Sequence, residues 1–251
     1  MLELQKHIIY GPVNSRRLGS SLGVNVLPVD QKVCTLNCLY CQYGWTNVKK
    51  MKDDSGLYFP SVSEILTEVE MVLKQFSKPL NYITFSGNGE ATLHPEFSTI
   101  VDGVIGLRNQ YLSETKTAIL SNSTTVHQPL VRKALSKLDV RIMKLDAGNE
   151  SMFRNYSQPV RDVSLEMIVD GLSSLEDVTI QTLFTSGLSG NATCNNIRTW
   201  MKQLMKIAPR LVQIYTLDRG YPSDNIDKLN PNELKQVQAV LRKVNIQAEV
   251  Y

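Results

Sequence analysis

The chain has little cysteine, tryptophan or histidine. Its 251 residues include four cysteines, two tryptophans and three histidines. No run reaches the roughly 18 consecutive apolar residues of a membrane span. The N-terminus, MLELQKHIIYGPV, lacks the apolar stretch of a secretory leader, so a cytoplasmic protein is expected. There is no charge block and no low-complexity tract. The net charge of +3 is too mild to argue for nucleic acid. Hydrophobic residues make up 42%, which supports a sizeable core, and the length fits one large domain or at most two.

Against that background the placement of the cysteines is informative. Cys34, Cys38 and Cys41 fall in the string CTLNCLYC, with spacing C-x3-C-x2-C, and Cys194 stands far away. Disulfide bonding would leave a thiol over, and nothing implies an oxidising compartment. Three soft thiolate ligands on one loop suit an iron–sulfur cluster. A cluster of four irons held by three cysteines leaves one iron open, and an open iron means chemistry rather than electron storage. A structural zinc site is the alternative. It normally has four closed ligands, and neither His7 nor His94 lies near the loop.

Short apolar runs at 22–28, 81–86, 117–121, 139–145, 178–184 and 211–217 read as buried parallel strands. Helical patterns lie between them, at 62–76, 95–109, 128–137, 162–175 and 194–208, and a last one at 231–244. Ser61 with Glu64 forms a capping-box signature, and Asn230 followed by Pro231 opens the last helix. A final strand is expected over 246–250. Six βα units predict an α/β fold, a partial TIM-like barrel with its site at the C-terminal strand ends. The cysteines would then sit on the loop after the first strand.

C-x3-C-x-aromatic-C in that position resembles the radical S-adenosylmethionine (SAM) superfamily. The resemblance covers nearly the whole chain. It implies a single radical SAM domain over 1–251, with the cluster loop at 30–46. It also implies a 4Fe–4S cluster on Cys34, Cys38 and Cys41 and SAM chelated to the open iron. The implied enzyme is an oxidoreductase that cleaves SAM to methionine and a 5′-deoxyadenosyl radical, which takes hydrogen from a substrate. GPVNSRRLG at 11–19, SGNGE at 86–90, KLDA at 144–147 and QIYTLDR at 213–219 are similar to an iron–sulfur oxidoreductase subgroup related to wyosine-forming tRNA enzymes. The layout is also similar to activases of glycyl-radical enzymes. A non-catalytic iron–sulfur protein is the competing class.

The resemblance carries over to individual residues. Tyr40 holds the aromatic position, whose backbone approaches the adenine; packing against the barrel is its plain alternative. Gly87, Asn88, Gly89 and Glu90 resemble the Gly-Gly-Glu motif that receives SAM's amino group, with Asn88 inside it as a departure; an ordinary strand-to-helix turn is the alternative. Small residues let backbone approach a ligand, and carbonyls with a carboxylate accept from an ammonium. Asn122 would bond the ribose or carboxylate of SAM. Lys144 and Asp146 share one strand face; they would contact SAM or substrate, or form a salt bridge. Gln181, Tyr215 and Asp218 would line the substrate side. Arg16 and Arg17 either meet an anionic partner or form a solvated basic turn. Cys194 is expected to be a small buried hydrophobe, with a chemical role as its alternative. His94 is expected to cap a helix or lie on the surface, and Trp45 and Trp200 to pack, with Trp45 also placed to cover the cluster.

An external reductant, a flavodoxin or ferredoxin, is expected. A wide lateral opening in a six-unit barrel would suit a macromolecular substrate, a protein, peptide or RNA. RNA would engage Lys49, Lys50, Lys52, Arg16 and Arg17 through its phosphates.

Overall fold

The computed structural model describes residues 1–49, 57–76 and 79–251. Lys50 and Lys52 lie outside them. One eight-stranded sheet organises the chain. Its strands are β1 (Ile9–Ser15), β2 (Gly19–Val24), β3 (Tyr82–Phe85), β4 (Lys116–Ser121), β5 (Val140–Lys144), β6 (Val178–Leu183), β7 (Leu211–Tyr215) and β8 (Ala248–Val250). They are neighbours in that order. β2 to β8 run parallel, and β1 is antiparallel to β2.

A helix follows each parallel strand from β2 to β7. These are α1 (Val62–Gln75), α2 (Phe97–Tyr111), α3 (Pro129–Leu135), α4 (Leu165–Ser173), α5 (Cys194–Ile207) and α6 (Pro231–Arg242). Six βα units and a closing strand therefore stand as the apolar runs predict. The two capping boxes form as well, Ser61 with Glu64 and Asn230 with Glu233.

One strand face carries Ile83, Phe85, Ile119, Ile180 and Ile214, buried in the main core. The other face is more polar: Ser21 bonds Thr84 at 2.7 Å, and Gln181 bonds Gln213 at 3.0 Å. Polar residues on the inside of a curved parallel sheet are the residues available to a site.

β1 was not expected. Its sequence, IYGPVNS, holds Gly11 and Pro12 and is largely exposed, so no apolar alternation marks it. The first parallel strand also ends at Val24 rather than residue 28, because Asn25 turns the chain by bonding Leu27. The β1–β2 hairpin has a larger consequence. Its turn reaches the far edge of the sheet, where Arg16 pairs with Asp218 at 2.9 Å. The Arg17 guanidinium sits 4.2 Å from the Tyr215 ring centre and 5.0 Å from that of Tyr251. Leu18 packs with Ala118 and Ile142. The lateral gap expected to stand open is thus bridged by this turn.

Candidate active site

The cysteine loop leaves β2 and is clamped from both sides. Val33 N–H donates to Asn88 O at 3.0 Å, and Glu90 N–H donates back to Val33 O at 3.0 Å. Val33–Cys34 also pairs with Val48–Lys49 in a short parallel ladder. Farther on, Asn37 and Leu39 donate backbone bonds to Ser157 and Tyr156, at 2.9 and 3.1 Å. Those acceptors lie in a π-helical stretch, Phe153–Ser157, before α4.

The three thiols are free; Cys34 is buried, and Cys38 and Cys41 are half-buried. Two side-chain donors reach the sulfurs. Asn122 Nδ2 donates to Cys34 Sγ at 3.3 Å, and Lys32 Nζ donates to Cys41 Sγ at 3.0 Å. Burial pushes the Cys34 thiol up to about 11. It pushes Cys38 higher still, with Cys41 and Cys34 adding to the shift. Among the described residues the side chains are not drawn together closely enough to cage an ion. Buried thiols of this kind resist ionisation. Such ligands ionise when a metal supplies the compensating charge.

The glycine motif ends β3 and supports this loop. Gly89 has φ +137°, and a Cβ there would lie 1.8 Å from Val33 O, so only glycine admits the cysteine strand. Asn88, the departure from the family pattern, is fully buried. Its side chain accepts from Gln5 N at 2.7 Å and donates to Gln5 O and Pro28 O, each at 2.9 Å. Glu90 is held by its neighbours. Its buried carboxylate already accepts from Thr92 N, Thr92 Oγ1, Ser121 Oγ and Asn122 N. Burial raises its pKa against those four bonds. Glu90 thus braces the rim between β3 and β4.

Asn122, beyond β4, is held by the same brace. Besides Cys34 it donates to Thr35 Oγ1 at 2.9 Å, and its own oxygen accepts from Thr124. Just before it, Leu120 is 39% exposed although it lies on an interior strand. That exposure marks an open mouth at the strand ends.

Lys144 and Asp146 form an ion pair at 2.9 Å, both largely buried. Asp146 also accepts from Leu183 N at 2.8 Å and from the Tyr40 hydroxyl. Lys144 donates to Tyr215 OH at 3.0 Å, and burial, which opposes its charge, is outweighed by Asp146 and Tyr215, so its pKa rises. Tyr40 therefore packs through its ring, 5.3 Å from the Tyr156 ring, and ties the cysteine loop to β5.

Other expected residues fall elsewhere. Asp218 is exposed and paired with Arg16, so it sits on the rim and not in the mouth, and Arg16 is paired rather than a free solvated turn. Gln181 is buried inside the barrel, bonded to Gln213. Cys194 is exposed at the start of α5, not a buried hydrophobe. His94 is buried and caps, taking Glu96 N–H on Nδ1 and bonding Pro60 O through Nε2. Trp200 is fully buried against Phe184, whereas Trp45 is 45% exposed. Sequence reasoning passed over Lys32. Its only local signal is its place two residues before the first cysteine, which does not reveal that it is buried.

A sequence model of the radical SAM superfamily matches residues 29–191, more than half of the chain. The chain belongs to the radical SAM superfamily. Two curated relatives span most of it. A UPF0026 protein of Helicobacter pylori strain J99 is 30% identical over 90% of this chain and 71% of its own length. A Brachyspira hyodysenteriae protein named GTPase Obg is 29% identical over 94% of this chain, which spans only 34% of that longer protein. Among solved structures, a radical SAM methyltransferase from Sphaerobacter thermophilus has TM-score 0.68 at 15% identity, over 92% of this chain and 65% of that one. TYW1 with a lysine–pyruvate adduct has TM-score 0.63 at 15% identity, over 90% and 74%. Streptococcus suis SuiB with its precursor peptide SuiA has TM-score 0.64 at 13% identity, over 91% and 48%. These structures share the fold: a mostly parallel α/β sheet.

As a radical SAM protein the chain is an enzyme of radical reactions, with a 4Fe–4S cluster and SAM as its cofactors. The donor set fits: three thiols on one clamped loop, with N–H donors on two of them. Among the described residues no helix is long and apolar enough to cross a membrane.

Proposed function

We propose that this chain is a radical SAM oxidoreductase acting on a macromolecular substrate, with electrons from an external flavodoxin or ferredoxin. The observation that carries the reading is convergence on one rim. The cysteine loop, Gly87–Glu90, Asn122 and the Lys144–Asp146 pair all stand at the C-terminal ends of successive parallel strands. When bound, the cluster and SAM supply methionine and a 5′-deoxyadenosyl radical that takes hydrogen from the substrate.

The chain's own residues hold and orient. Cys34, Cys38 and Cys41 ligate iron. Asn122 fixes Cys34 by donating to its sulfur. The Gly87–Glu90 segment receives the amino group of SAM, with Glu90 Oε2 accepting, among the described residues, only the Asn122 N–H. Lys144 offers a cation to the carboxylate of SAM or of the substrate. Tyr40, Tyr215 and Gln181 wall the mouth. Exposed Leu120 and a rim open to solvent favour a peptide, protein loop or RNA over a small molecule. The likeness of residues 11–19 and 213–219 to the wyosine-related subgroup favours RNA, for which the exposed Lys49 offers a cation, while Arg16 would have to exchange Asp218 for a phosphate.

The test is anaerobic reconstitution, reduction with dithionite, and chromatography for 5′-deoxyadenosine. A protein carrying a full cluster that cleaves no SAM would overturn the reading. Activation of a glycyl-radical enzyme would instead appear as a glycyl radical signal in an added partner protein. RNA as substrate predicts binding that weakens steeply with salt.

A further inference from the structure

Lys32 is 2% exposed. Its ammonium donates to Gly44 O at 2.6 Å and to Cys41 Sγ at 3.0 Å. Among the described residues no carboxylate forms an ion pair with it. A buried, unpaired charge is expensive, and a carbonyl dipole with a neutral thiol does not balance it. An iron-bound thiolate does. A 4Fe–4S cluster with three thiolates carries net negative charge, and one added electron makes it more negative. Charge and hydrogen bonds at the sulfurs are what tune such a cluster.

We propose that Lys32 is a positioning residue, the buried counter-cation of the cluster, which raises the reduction potential through Cys41. The inference rests on the reading of Cys34, Cys38 and Cys41 as ligands. In the step concerned, one electron passes from the external reductant to the cluster; the reductant is oxidised, and no bond forms or breaks in the protein. The ammonium stabilises the reduced form more than the oxidised one, by attraction and by its N–H bond to sulfur.

The experiment is a redox titration of the reconstituted full chain, followed by the electron paramagnetic resonance of the reduced cluster, with iron and sulfide content measured in parallel. Wild type is compared with Lys32→Arg, Lys32→Gln and Lys32→Met. At the wild-type midpoint, the ratio of reduced to oxidised cluster is expected to fall about tenfold in the Gln and Met variants, a shift of about 59 mV to more negative potential. The Arg variant is expected to stay near wild type. Neutral variants that load a cluster and titrate with the wild-type midpoint overturn the proposal. If Lys32→Met takes up no iron, Lys32→Gln decides. Loading by wild type and Lys32→Arg alone supports a required charge. Loading by wild type and by none of the variants overturns the proposal, since Lys32 then serves the loop only through Gly44. A wild type that takes up no iron overturns the ligand reading beneath it, a result distinct from a loaded wild type with indifferent variants.

Discussion

Two lysines are buried at the functional rim, and the protein balances them in different ways. Lys144 has a carboxylate of its own: Asp146 lies at 2.9 Å and is itself fixed by Leu183 N and the Tyr40 hydroxyl. Among the described residues Lys32 has only Gly44 O and the Cys41 sulfur. The first pair is complete within the chain and stiffens the mouth whether or not a ligand is present. The second is complete only when the sulfur carries negative charge. A buried cation beside a carboxylate is balanced by the fold before any ligand arrives; one beside a neutral thiol is not.

The strongest way to break this contrast is Cys38→Ala. It is expected to abolish iron uptake and 5′-deoxyadenosine formation together, while the Lys144–Asp146 side keeps the sheet folded. Iron content, product chromatography and circular dichroism read the three effects. Next in size is Asp146→Ala, which strands Lys144 as Lys32 is stranded in the metal-free chain. It should cost about 3 kcal/mol in denaturant unfolding. Lys144→Met combined with Asp146→Leu should recover only part of that loss, because the buried charge is removed with its partner but Leu183 N–H and the Tyr40 hydroxyl lose their acceptor.

A smaller effect is expected from Asn122→Ala. Lost bonds to Thr35 and Cys34 predict about 1–2 kcal/mol of destabilisation, together with a changed paramagnetic spectrum of the loaded protein. The smallest effect concerns pH. The Lys144 pKa is raised above its ordinary 10.5 in the folded state. Its contribution is therefore complete below about 10.5 and fades as pH climbs through the raised folded value. Lys144→Met should flatten the fall of stability above that pH, measured by unfolding at a series of alkaline pH values.

Much of this was legible along the chain. The six apolar runs marked the parallel strands, because their core-facing positions are apolar and turn residues bound them. Ser61 and Asn230 announced their helices by local bonds. The edge strand Ile9–Ser15 escaped notice, since an exposed strand with Gly11 and Pro12 leaves no periodic signal. In the site, Glu90 was legible in its motif but its donors were not: Ser121 and Asn122 come from the next strand end.

By itself, then, the sequence determined the cysteine spacing and the βα order, since motif spacing, hydrophobic period and capping act between near neighbours. The tertiary structure alone decided which charges are balanced and by what. It set Arg16 against Asp218 and Arg17 on Tyr215 across the gap, and it enclosed Lys32 beside Cys41. Burial and charge pairing are properties of atoms brought together from distant parts of the chain, and their energies depend on the surroundings that the whole fold creates.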